Sequence, residues 1–284
     1  MTRERIGMVW PLAIAAIVAT ILSAPACADV FDKPLSVKKA RLPADPQDPS
    51  TKREISCYSY PTYTIKQLDF GEVGAERLSV LPTPDGKAAS CRQAKEAGEY
   101  VLPPEMWSGY FAGAKAGYAF FTASDGANGG MGFIVLRLAD KKKLFEDAYD
   151  KSLESIDVHD GVPLIRYRRV YAGSCSVVTE GASCADSIAR ETGVTKASLA
   201  ICASGYRTAQ ESLARERCKA DGKSDAACIK QEADVITKQK WAASPSVIVY
   251  EAALDLHETT APDRPIGAPS IKALGNALSC RPAD

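Results

Sequence analysis

Histidine is scarce in this chain, with two in 284 residues: His159 in DVHDG and His257 in DLHET. Serine-hydrolase chemistry needs a nucleophile, a base and an orienting acid, and no G-x-S-x-G elbow accompanies either imidazole. Both histidines read as surface or strand-end residues. Paired C-x-x-C spacing is also missing, which removes the usual zinc-ribbon and thioredoxin-like signatures. Charge of one sign is lacking as well, since 35 Lys and Arg face 35 Asp and Glu. Such a balance implies no whole-protein attraction to nucleic acid or to an anionic membrane.

Long apolar runs are absent except at the start. Arg3 and Arg5 precede an apolar run from Met8 to Leu22, and Ala26-Cys27-Ala28 follows it. Basic, apolar and small-residue segments in that order form the pattern of a secretory signal peptide, residues 1–28, with cleavage expected after Ala28. Two alternatives compete with it. Ile6 to Ala28 carries no charge and could nearly span a bilayer as a retained anchor. Lipid attachment at Cys27 is the other, although Ala24 and Pro25 stand where a lipoprotein signal carries leucine. Cleavage predicts a periplasmic or secreted protein with no stable membrane span.

Nine cysteines are present, and removing Cys27 leaves eight: Cys57, Cys91, Cys175, Cys184, Cys202, Cys218, Cys228 and Cys280. An even count in an exported chain reads as a disulfide framework, because disulfides persist where no cytosolic reductant reaches them. Cys218 lies three residues before Asp221 and Cys228 four after Ser224, almost symmetric about the short DGKS turn. That symmetry brings the two side chains opposite one another and predicts a staple. No histidine lies nearby to make the pair a metal site, and its spacing does not suit a redox switch. One pair is expected among Cys175, Cys184 and Cys202, the third going to Cys280 or another distant partner. Cys57 and Cys91 are expected to close the N-terminal segment.

Residues 33–54 hold four prolines, many charges and few large apolar side chains. A flexible leader over 29–54 is expected, because so little apolar surface cannot offset the entropy of ordering. A single β-rich domain is expected over 55–284. AGYAFFTA, MGFIVLRL and KLFEDAY are aromatic or branched runs separated by turn-forming clusters, the pattern of a β-meander. In PLIRYRRVYAG, Ile165, Tyr167, Arg169 and Tyr171 share one face and Arg166, Arg168 and Val170 the other. SVIVYEAALDL places Ile248, Tyr250, Ala252, Leu254 and Leu256 on a single apolar face. The fold class is therefore mainly β (α+β): an antiparallel meander or sandwich-like domain, with a blade-like repeat as a weaker option.

A disulfide-stapled helical hairpin is inserted at about 206–241, where strong helix formers surround DGKS. Tyr206, Ala209 or Gln210, Leu213 and Arg217 follow helical spacing, as do Ile229, Ala233 and Ile236. Ser224 or Asp225 is the expected cap of the second helix. RERCKADGKSDAACIKQ resembles the cysteine-paired helices of secreted lysozyme-inhibitor proteins of the LprI kind. The resemblance rests on two cysteines in that one stretch and implies an inhibitor role.

Two features suit binding. Arg166 and Arg168 project from one strand face and form an anion-binding strip if Lys141, Lys142 or Lys143 lies beside them; otherwise they are a solvated face. Trp107, Tyr110 and Phe111 in MWSGYF either stack on a sugar or partner or pack in the core. DGANGG, Asp125 to Gly130, lacks the alternating acids and terminal glutamate of an EF-hand loop and reads as a hairpin turn. Its glycines do not form a phosphate loop. The sequence therefore predicts an exported protein that binds a protein or glycan of the envelope, with no cofactor, metal or nucleic acid. A hydrolase using a carboxylate pair, whose spacing a sequence does not reveal, is the alternative, and a thiol-redox protein the third.

Overall fold

The computed structural model describes residues 30–83, 89–238, 241–259 and 268–283, so the expected signal segment lies outside the described residues. Two antiparallel sheets and a helical layer make up the fold. The smaller sheet orders β1 (Ser36–Arg41), β2 (Glu54–Ser59), β3 (Tyr63–Asp69), β4 (Arg77–Pro82) and β5 (Tyr100–Val101) consecutively. The larger one is a seven-stranded meander. It runs from β6 (Gly109–Lys115) through β7 (Tyr118–Ala127), β8 (Gly130–Arg137), β9 (Lys142–His159), β10 (Val162–Ala172) and β11 (Ser246–Thr259) to β12 (Ala268–Pro282).

Turn chemistry sets this meander. Ala116-Gly117, Asn128-Gly129 and Asp160-Gly161 each join paired strands through two residues of positive φ, the geometry whose twist matches that of the flanking strands. DGANGG is thus a hairpin turn, as its glycines suggest. Both faces of the β7–β8 pair are buried, which explains why their sequences run almost continuously apolar. Phe120, Phe133 and Val135 face the helices, together with Ile165, Tyr167 and Leu254. Phe121, Ile134 and Leu136 face the smaller sheet and meet Ile65, Leu78 and Val80. On β10 and β11, Ile165 opposes Leu254, Tyr167 opposes Ala252 and Arg169 opposes Tyr250, so the expected apolar faces meet in register.

Among the described residues four α-helices lie between β10 and β11. α3 (Cys202–Ala220) and α4 (Ala226–Lys238) form the hairpin expected there, with Asp225 Oδ1 accepting the Cys228 amide at 2.8 Å as its cap. The buried stripe of α3 is Cys202, Tyr206, Ala214 and Cys218, one residue beyond the Leu213 and Arg217 positions that the sequence spacing picked. Cysteines draw that rotation, since two of the four are cross-linked. α1 (Val177–Glu180) and α2 (Ala182–Thr192) occupy SVVTEGAS and the residues after it, where the sequence suggested a loop. Ser176 caps α1, and α2 carries Cys184 and Ile188 into the core.

Four disulfides join the eight cysteines among the described residues: Cys57–Cys91, Cys175–Cys184, Cys202–Cys280 and Cys218–Cys228. They fit an exported, disulfide-stabilised protein. Among the described residues no helix is long and apolar enough to cross a membrane.

The stretch read as a flexible leader engages the fold early. β1 pairs with β2 over six residues. Upstream, the Phe31 ring lies 5.4 Å from that of Phe120 and occupies the space that Gly113 leaves by having no Cβ. Asp32 donates its amide to Ala114 O at 2.8 Å, accepts the Ala116 amide at 2.9 Å and pairs with Lys115 at 3.1 Å. Composition averages over the segment and misses the one aromatic residue and one carboxylate that dock it.

Candidate functional site

The residues singled out in the sequence divide between two environments. Trp107 donates its indole N–H to Thr122 O at 3.1 Å, and Tyr110 donates its hydroxyl to Glu72 O at 3.3 Å while accepting the Gly74 amide at 3.0 Å. Phe111 packs between Tyr58, at 4.9 Å, and Phe121, at 5.7 Å. Internal contacts therefore take up the polar atoms of both Trp107 and Tyr110. On β10 Arg166 stands exposed and Arg168 half-buried, each beside a carboxylate of β9: Asp157 at 3.9 Å and Asp150 at 3.0 Å. Lys143 is paired with Glu146 at 2.9 Å. Pairs as open to solvent as Arg166–Asp157 are weak.

Of the histidines, His257 is half-buried, its Nδ1 2.6 Å from Asp255 Oδ1, and His159 is exposed at the end of β9. Burial raises the Asp255 carboxyl, but hydrogen bonds from His257 outweigh it and hold the group below the usual range. Among the described residues no three His, Cys, Asp or Glu side chains gather as a metal site.

One buried polar constellation went unseen in the sequence. Tyr167 donates its hydroxyl to Asp147 at 2.6 Å, and Arg169 Nη1 donates to the Tyr250 hydroxyl at 2.8 Å. Arg169 Nε is 2.7 Å from Asp147 yet makes no hydrogen bond there, so that contact is ionic. Burial works against the Arg169 charge, but Asp147 and Tyr250 override it and its pKa rises. Each member answers another, which makes the group a tie between β9, β10 and β11.

A cleft of about 420 Å³ opens between the two sheets where several turns converge. Tyr63 at the start of β3, Pro82 at the end of β4 and Tyr118 at the start of β7 supply its apolar walls, and Arg137 and Lys141 its cations. None of its described lining residues is Asp or Glu. Tyr63 stacks on Tyr60 with ring centroids 4.9 Å apart, which fixes its plane. Burial, then Tyr60 and Asp32, push the Tyr63 phenol above its ordinary value; burial and Asp32 push Tyr60 up to about 12. Both therefore remain neutral hydroxyl groups, able to donate as well as accept.

The two cations differ. Arg137 grips Asp140 with Nε and Nη2 at 3.0 and 2.7 Å, and those bonds hold the Asp140 carboxyl down to about 2. Its charge is thus largely balanced. Lys141 makes no ion pair with a described carboxylate, is half-buried and has φ of 59°. No sequence pattern announces this cleft, because Tyr63, Pro82, Tyr118 and Lys141 belong to separate turns and strand ends. The turn-forming cluster ADKK, between MGFIVLRL and KLFEDAY, finds the place of Lys141 but not its neighbours.

Comparison of the chain with protein-family models, curated proteins and solved structures found no match.

Proposed function

We propose that this chain is exported to the periplasm or beyond, reinforced there by its disulfides, and acts by binding a saccharide of the envelope in the cleft between its sheets. The observation that carries this reading is the cleft itself. Two tyrosines and a proline provide apolar faces, the neutral Tyr63 phenol and turn backbone provide hydrogen-bonding groups, and small-molecule sites combine the same elements. An aromatic ring with a polar tip suits a ligand that is apolar on one face and hydroxylated at its edges. The four disulfides support export, since such bonds persist outside the reducing cytosol.

Tyr63→Leu tests the assignment, because leucine keeps the apolar bulk and removes the aromatic face. Saccharide fragments released from the host envelope are titrated into wild type and variant by calorimetry, with thermal unfolding as the control for folding. A loss of binding of tenfold or more at unchanged stability supports the cleft. Equal binding by the two proteins contradicts it.

A further inference from the structure

We infer that the saccharide is anionic and that Lys141 reads its negative charge. This rests on the cleft being a saccharide site. The turn between β8 and β9 needs a left-handed residue, a role glycine or asparagine fills with little strain. Lysine fills it here at φ of 59°. Among the non-glycine residues of positive φ, Asn128 and Asp160 belong to types that tolerate it, leaving Ala116, Lys141 and Lys151. Ala116 and Lys141 both line this one cleft.

Ala116 has a structural account in the two-residue turn and the hold of Asp32 on its amide. At Lys141 the turn accounts for the conformation but not for the choice of lysine, and residues in sparsely populated backbone conformations cluster at functional sites. Electrostatics point the same way. Arg137 is balanced by Asp140, the described lining holds no Asp or Glu, and Lys141 is the described lining cation that makes no ion pair with a described carboxylate. A single ammonium there favours a carboxylate-bearing sugar over a neutral one of the same shape, and more strongly at low salt.

Hexagalacturonate, hexamannuronate and the methyl ester of each are the probes, titrated calorimetrically at low ionic strength into wild type, Lys141→Met and Tyr63→Leu. The ester keeps the shape of the sugar and removes its charge. At least one acid is expected to bind wild type fivefold or more tighter than its ester, with Lys141→Met erasing that ratio and Tyr63→Leu weakening acid and ester together. Equal affinity of acid and ester overturns the inference while leaving the saccharide cleft standing. A ratio that survives Lys141→Met overturns the role of Lys141. Failure of all four probes to bind overturns both the inference and the saccharide reading.

Discussion

Glu99 holds the second half of the N-terminal segment in place, and its removal gives the largest expected loss of stability from a single charge. Its buried carboxylate is 2.8 Å from Lys66 Nζ, accepts the Ser79 hydroxyl at 2.6 Å and accepts the Glu96 amide at 2.8 Å. Lys66 is buried too, and its remaining partners are Glu96, at 3.3 Å, and Ala94 O, at 3.3 Å. Glu99→Gln removes the charge and strands an ammonium in the sheet. Breaking a buried pair by neutralising one member costs about 3–5 kcal/mol. Glu96 retains part of the compensation, so about 3 kcal/mol is expected, read as a shift in the urea midpoint with disulfides intact and an unchanged slope.

The double variant Lys66→Met/Glu99→Leu, which removes both charges, is expected to recover most of that loss. Burial pushes the Glu99 carboxyl up, but hydrogen bonds from Lys66 and Ser79 outweigh it, so its pKa lies below the ordinary value. The stabilisation is therefore present above the ordinary carboxylate pKa, about 4.3, and is lost as pH falls through the lower folded value. Glu99→Gln should remove that part of the acid dependence. A loss below about 0.5 kcal/mol, the size of a surface change, would refute the argument that the pair is buried and coupled.

Other consequences are as direct. Phe31→Ala empties the space over Gly113; the ring is only half-buried, so about 1–2 kcal/mol is expected in the same urea assay, below the full cost for a core phenylalanine. Gly113→Ala should expel the ring and cost at least as much, with loss of amide-exchange protection at Asp32. Cys202–Cys280 closes 78 residues and Cys218–Cys228 only 10. Loop-closure entropy then gives about 4 and 3 kcal/mol as upper values, so replacing the first pair by alanine should lower thermal stability more than replacing the second.

Local chemistry made much of the fold readable. Asn128-Gly129 and the alternation through Arg166 to Val170 fixed a turn and a strand face, and the offsets of Cys218 and Cys228 about DGKS fixed a staple. Each signal spans a dozen residues or fewer, within reach of turn geometry and side-chain period. α2 escaped because Ile188 is its one large apolar side chain, leaving no stripe to count. β1 escaped because an edge strand with charged, exposed residues looks like linker. The cleft lay beyond reach for another reason. Tyr63 and Lys141 meet only after two sheets have formed and packed, and no spacing rule encodes that distance along the chain.

Export with complete oxidation is the premise on which the binding reading stands. Intact mass of the protein recovered from its host, with thiols alkylated before and after reduction, tests it most directly. The account predicts a chain beginning at Asp29, no label before reduction and eight labels after it. Retention of residues 1–28, or a reproducibly free pair of thiols in the native protein, would contradict it.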